Sequence, residues 1–158
     1  MNPIFERIIS LLENETDWVA AMATVACELH HSHAHFHWTG FYRRISPDLL
    51  KIGPYQGGHG CLEIPLSRGV CGSAARSGLT QHYPDVSQAA DHIACASTTR
   101  SEVVVPILNA LGEVFAVLDV DSDHLDAFSD ADISLLESIG QFLGARYGSV
   151  RQTTPVLI

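Results

Sequence analysis

The chain has 158 residues, 46 % of them hydrophobic and 17 % charged, and a net charge of −9. That length and balance fit a single folded domain with one core and exclude a disordered chain. The acidic surface speaks against nucleic acid or an anionic membrane as partner, and no stretch reaches the ~18 apolar residues of a membrane span.

Asn2 followed by Pro3 reads as an N-cap and first-turn proline, opening a short helix through about Leu12. No basic n-region or long apolar run follows, so no signal peptide is expected, and the chain is expected to be cytoplasmic with thiols reduced at rest. A second helix is expected after Thr16. Trp18, Met22, Val25 and Leu29 form its buried stripe, Cys27 reads as a plain small core residue beside it, and His30 and His31 end it.

Strands are expected over Ala34–Arg43, Leu49–Tyr55 and Cys61–Pro65. His33, His35 and His37 would share one face of the first, which suggests a metal site, but no cysteine or carboxylate stands near them in sequence. Trp38 and Tyr42 flank Gly40 on one face. That leaves a hollow over the sheet, which either core packing or an apolar or cationic ligand could fill. Gly69 to Ala75 turns from a loop into a helix of small residues that ends at Gly78. Tyr83 to Arg100 is polar and irregular, and a loop of this length in a small domain is usually functional.

Ser101–Leu108 and Glu113–Asp121 read as a valine-rich hairpin around Asn109 to Gly112. If Leu108 faces Glu113, then Glu102 lies opposite Asp119 and shares a face with Asp119 and Asp121. Three like charges so placed must be relieved by a bound cation, by a raised pKa that keeps one group protonated, or by solvent. Ser129 caps a last helix with Asp132 three residues on. Ile133, Leu136, Ile139 or Gly140, Leu143 and Tyr147 form its apolar face. The expected architecture is one α/β (α+β) domain over residues 1–150, helices first and last around a mostly antiparallel sheet, with a frayed tail over 151–158.

Three of the four cysteines, Cys61, Cys71 and Cys95, fall between residues 61 and 95 without a CxxC. Cys71 at a helix N-terminus has two readings: a thiol with lowered pKa, or a small residue packed beneath the helix. Cys95 lies in the polar loop near His92 and Arg100, neighbours that favour thiolate.

These residues carry a resemblance. His37-Trp38-Thr39-Gly40-Phe41-Tyr42 resembles the Asn-Trp-x-Gly-Phe-Tyr signature of the free methionine-(R)-sulfoxide reductases, which are GAF domains. The likeness runs on through Gly53-Pro54-Tyr55-Gln56-Gly57, Ile64-Pro65, Gly69-Val70-Cys71-Gly72 and His92-Ile93-Ala94-Cys95. It ends with Ser101 to Pro106 and Val117 to Ser122, so it spans roughly Thr16 to Tyr147. The resemblance implies a GAF fold and reduction of free L-methionine (R)-sulfoxide, with no organic cofactor and no metal. It implies Cys95 as nucleophile, Cys71 as resolving cysteine and Cys61 as a third, an alternative or relay partner, with thioredoxin as reductant. Glu102, Asp119 and Asp121 match the acids around the substrate, and Trp38 and Tyr42 its aromatic wall. GAF domains often pair through terminal helices, which leaves a homodimer open. The chain departs from the pattern at His37, at Ala96, at Gln88-Ala89-Ala90-Asp91, and at Gly58-His59-Gly60, where the added glycine is expected to loosen the loop. The rival reading is a stand-alone GAF module that senses a small molecule without catalysis.

Overall fold

A computed structural model describes residues 2–149, so the tail expected over 151–158 lies outside the described residues. Helix α1 (Pro3–Leu11) starts where Asn2 accepts a hydrogen bond from the Ile4 N–H at 2.9 Å, and α2 (Trp18–Ser32) where Asp17 accepts from the Ala20 N–H. These caps satisfy donors that a helix start otherwise leaves orphaned. Strands β1 (Trp38–Ser46), β2 (Leu49–Gln56) and β3 (Glu63–Pro65) follow, then α3 (Gly69–Ser77) and β4 (Gln81–Tyr83). A single 3₁₀ turn at Val86–Gln88 precedes the hairpin β5 (Ser101–Leu108) and β6 (Val114–Ser122), and α4 (Asp130–Tyr147) ends the fold.

The six strands form one antiparallel sheet in the order β3-β2-β1-β6-β5-β4. Alternation along each strand divides its side chains between two faces. One face, carrying Phe41, Val103, Val105, Leu118 and Val120, packs against the stripes of α1, α2 and α4 in the main core. The stripe Trp18, Met22, Val25 and Leu29 is buried there, as are Leu136, Ile139, Leu143 and Tyr147 of α4. Tyr147 donates its hydroxyl to the Glu15 carbonyl at 2.8 Å, tying the last helix to the α1–α2 connection. The other face, with Trp38, Tyr42, Val104 and Val117, packs against α3 and the loop that crosses it.

Three expectations are corrected. The first strand begins at Trp38, because His33 ends α2 and residues 34–37 make the turn between them, so His33, His35 and His37 share no strand face. The turn instead brings His33 and His35 to Asp132, at 3.7 and 3.2 Å. Cys27 is exposed rather than in the core, with its Sγ 3.8 Å from His31 Nδ1 one turn on.

The hairpin is the third. Asn109 closes it: its side chain accepts from the N–H groups of Leu111 and Glu113, and Gly112 takes φ +77°. With an irregularity between Ile107 and Leu108, the ladder then runs with Glu102 opposite Asp121 and Val104 opposite Asp119. The pairing is displaced by two residues from the simple turn. An even displacement keeps every side chain on its face, so the three acids still cluster.

Candidate active site

The acids lie at one end of the second face. Asp119 and Asp121 come from β6, paired across to Gly40 and Trp38 of β1, and Glu102 comes from β5. Glu102 and Asp119 are 6 % and 5 % exposed, while Asp121 keeps a partly open edge. Helix α3 brings Cys71 down onto them, and its buried thiol donates to Asp119 Oδ2 at 3.4 Å. Asp119 Oδ1 is buried with no hydrogen-bond partner among the protein's donors.

Burial, above all, pushes the pKa of each of the three acids well up, and the neighbouring carboxylates push it further. Of the three ways to relieve the clustered charge, the raised pKa values point to retained protons. The same burial, with Asp119 and Glu102 beside it, raises the Cys71 thiol well above its ordinary value. Of the two readings of Cys71, the small residue packed beneath the helix holds, because desolvation and negative neighbours outweigh the helix N-terminus.

Residues 89–99 cross the mouth of the pocket. Asp91 makes a left-handed turn at φ +55°, a conformation that aspartate tolerates better than most residues. Gly69, at φ +77°, begins α3 directly beneath Ile93, where a Cβ would come within 3.1 Å of the isoleucine. His92 Nε2 lies 3.5 Å from Glu102 Oε2, so the loop touches the acids. Cys95 is bonded to Cys61, with Cα atoms 5.0 Å apart. Cys71 stays a free thiol. Of the two partners open to Cys95, the structure joins it to Cys61, the alternative one, while Cys71 points down to Asp119.

The closed pocket holds about 20 Å³, lined by Ile64, Val70, Ile93, the cysteines Cys71 and Cys95, and the three acids. That is roughly the room for one water. Trp38 and Tyr42 do not line it. The Trp38 ring lies over Gly40 and stacks between Tyr42 and Tyr55 at 5.9 and 5.3 Å, and its N–H donates to the Gly58 carbonyl at 3.0 Å. The hollow expected over Gly40 is filled by this indole, since a Cβ there would meet Trp38 at 2.6 Å. Gly60 is likewise pressed against Trp38 and Tyr42, so the glycine tightens the approach to Cys61 instead of loosening it.

The GAF domain family matches residues 13–145. The chain is 36 % identical to the free methionine-R-sulfoxide reductase of Escherichia coli over 78 % of its length and 73 % of that protein. The structure of the Neisseria meningitidis free methionine-R-sulfoxide reductase in complex with its substrate superposes with a TM-score of 0.86 at 41 % identity, over 94 % of this chain and 89 % of that one. The reduced form of the Staphylococcus aureus fRMsr gives 0.83 at 35 % identity, over 89 % and 90 %. The chain belongs to the free methionine-R-sulfoxide reductase family.

Within this reductase fold, Ile64, Val70 and Ile93 give the pocket its apolar wall; they stand in the matched motifs, but the sequence assigns them no site role. His37, where the family signature has asparagine, accepts from the Asp123 N–H at 3.0 Å and meets Ser122 Oγ at 3.3 Å. It clamps the end of β6 just beyond Asp121, outside the pocket. Among the described residues, no helix is long and apolar enough to cross a membrane.

Proposed function

We propose that this chain reduces free L-methionine (R)-sulfoxide to methionine with electrons from its own thiols. The observation that carries the reading is that Cys95, bonded to Cys61, lines the same pocket as the buried acids Glu102 and Asp119. A redox couple and a store of protons thereby share one pocket. Reduction of the disulfide frees Cys95 and opens the pocket to an amino acid. Asp121, the most open of the acids, faces the substrate ammonium, and Ile64, Val70 and Ile93 take its methyl end. Trp38 and Tyr42 back this wall from beneath.

The Cys95 sulfur attacks the sulfoxide sulfur while the Glu102–Asp119 pair protonates the departing oxygen. The oxygen passes to Cys95 as a sulfenic acid, methionine leaves with the two electrons, and the thiol proton of Cys95 restores the acid pair. The Cys61 thiol then condenses with the sulfenic acid, forming the disulfide and releasing water. A thioredoxin dithiol returns both cysteines to thiols by exchange. Cys61 thus takes the resolving role, and Cys71 holds Asp119 in place.

The test is NADPH oxidation with thioredoxin and thioredoxin reductase, offering free methionine-(R)-sulfoxide, its S epimer and a peptide-bound sulfoxide in parallel. Turnover of the free R epimer alone is expected. A folded, reduced protein that turns over none of the three would overturn the reading and favour a sensor.

A further inference from the structure

We propose that the acid pocket is also a site for a soft divalent cation of the zinc class, ligated by Cys71, Glu102 and Asp119, and that the ion excludes the sulfoxide substrate. The second half rests on the reductase reading; the first does not.

One donor atom from each of the three residues lies within 4.8 Å of the other two, and all three residues are buried. They stand on α3, β5 and β6, elements fixed by the core, so the donors are held in place before any ion arrives. A second observation points to a ligand. Asp119 is 5 % exposed, yet its Oδ1 has no partner, a costly state for a buried polar atom. One sulfur and two carboxylate oxygens suit zinc and its soft neighbours. Magnesium and calcium take six or more oxygens and have no use for a thiol. His92, 3.5 Å from Glu102 Oε2, stands where an outer partner orients a ligating carboxylate. The closed pocket has room for an ion and not for an amino acid.

The ion takes the carboxylates that the substrate ammonium and oxygen would use, and the two compete.

Cobalt titrated into the disulfide-bonded protein tests the site without any turnover. The expected result is a sulfur-to-cobalt charge-transfer band that saturates at one ion per chain and is reversed by zinc. It should be lost in Cys71→Ser, and the affinity should fall at least about tenfold in Asp119→Asn. A cobalt spectrum without that band overturns the site and moves the ion to nitrogen and oxygen donors such as His33, His35 and Asp132; a band unchanged in Cys71→Ser overturns it in favour of the other free thiol, Cys27. Cadmium NMR on the unaltered protein is independent of how the variants fold: a resonance in the one-sulfur range is expected, and one typical of nitrogen and oxygen alone overturns the site. Competition is read in a single turnover of pre-reduced protein, where zinc should raise the half-saturating sulfoxide concentration and leave the limiting rate unchanged. Unchanged half-saturation in zinc-loaded protein overturns the exclusion while leaving both the site and the reductase standing.

Discussion

Glu102 stands directly opposite Asp121 in the β5–β6 ladder, with Asp119 two residues back along the same face. Like charges placed this way destabilise a sheet unless protons neutralise them.

That relationship gives stability a pH dependence of definite sign. The folded carboxyls keep protons that the unfolded chain releases, because their pKa values are raised in the native state. Stability is therefore greatest at acid pH and falls as pH rises from about 4 towards the folded values. Asp119→Asn should remove part of this fall and gain on the order of 1–2 kcal/mol near neutrality. Thermal midpoints at about pH 5 and pH 8 measure it, and a variant whose midpoints merely run parallel to the unaltered protein's would contradict the assignment.

The thiols should separate by role. Cys95→Ser is expected to lower turnover by at least about a thousandfold. Cys61→Ser should release one methionine per chain and then stall with thioredoxin. Cys71→Ser should go on cycling at a reduced rate, since its partner is Asp119 and not Cys95. If Cys71→Ser stalls and Cys61→Ser cycles, the resolving role belongs to Cys71.

Exposure divides the two free cysteines. Cys27 faces solvent while Cys71 is buried with its pKa pushed up, and the thiolate is the form that alkylates. Brief iodoacetamide treatment of the native protein should label Cys27 and spare Cys71, as peptide mass spectrometry would show. Cys27→Ser should leave turnover unchanged.

The aromatic stack should not tolerate a methyl group beneath it. In Gly40→Ala the new Cβ would lie 2.4 Å from Tyr55 Cβ, and a loss of about 2–3 kcal/mol is expected from overpacking. Urea denaturation would measure it. A cost below about 0.5 kcal/mol would mean that the indole sits elsewhere.

The helices and every strand but the short edge strand β4 were legible because their signals are local. Asn2-Pro3, Ser129 with Asp132, and the stripe of Trp18, Met22, Val25 and Leu29 all act within a few residues. The clustering of the acids was legible because it depends only on strand parity, which survived the displaced register. What the sequence hid was set at long range. Cys27 looked like a core residue until packing chose the other side of α2. For the Cys71 thiol the helix start alone pointed to a lowered pKa, but burial first and the acids of β5 and β6 second push it up. The disulfide partner of Cys95 depends on where α3 points Cys71, and no spacing reports that.

The anchoring of Trp38 has a mechanical consequence for the redox cycle. Cys61 follows Gly60, which is wedged against an indole that is itself stacked on both sides and tied to Gly58. Cys95 rides on a span without helix or strand, braced near the thiol by a backbone bond from its own N–H to the Ile93 carbonyl. The two halves of the disulfide are thus held differently, and in the proposed cycle the half that would move is the Cys95 span, with His92 and Ile93 on it, while the Cys61 side is held at the indole.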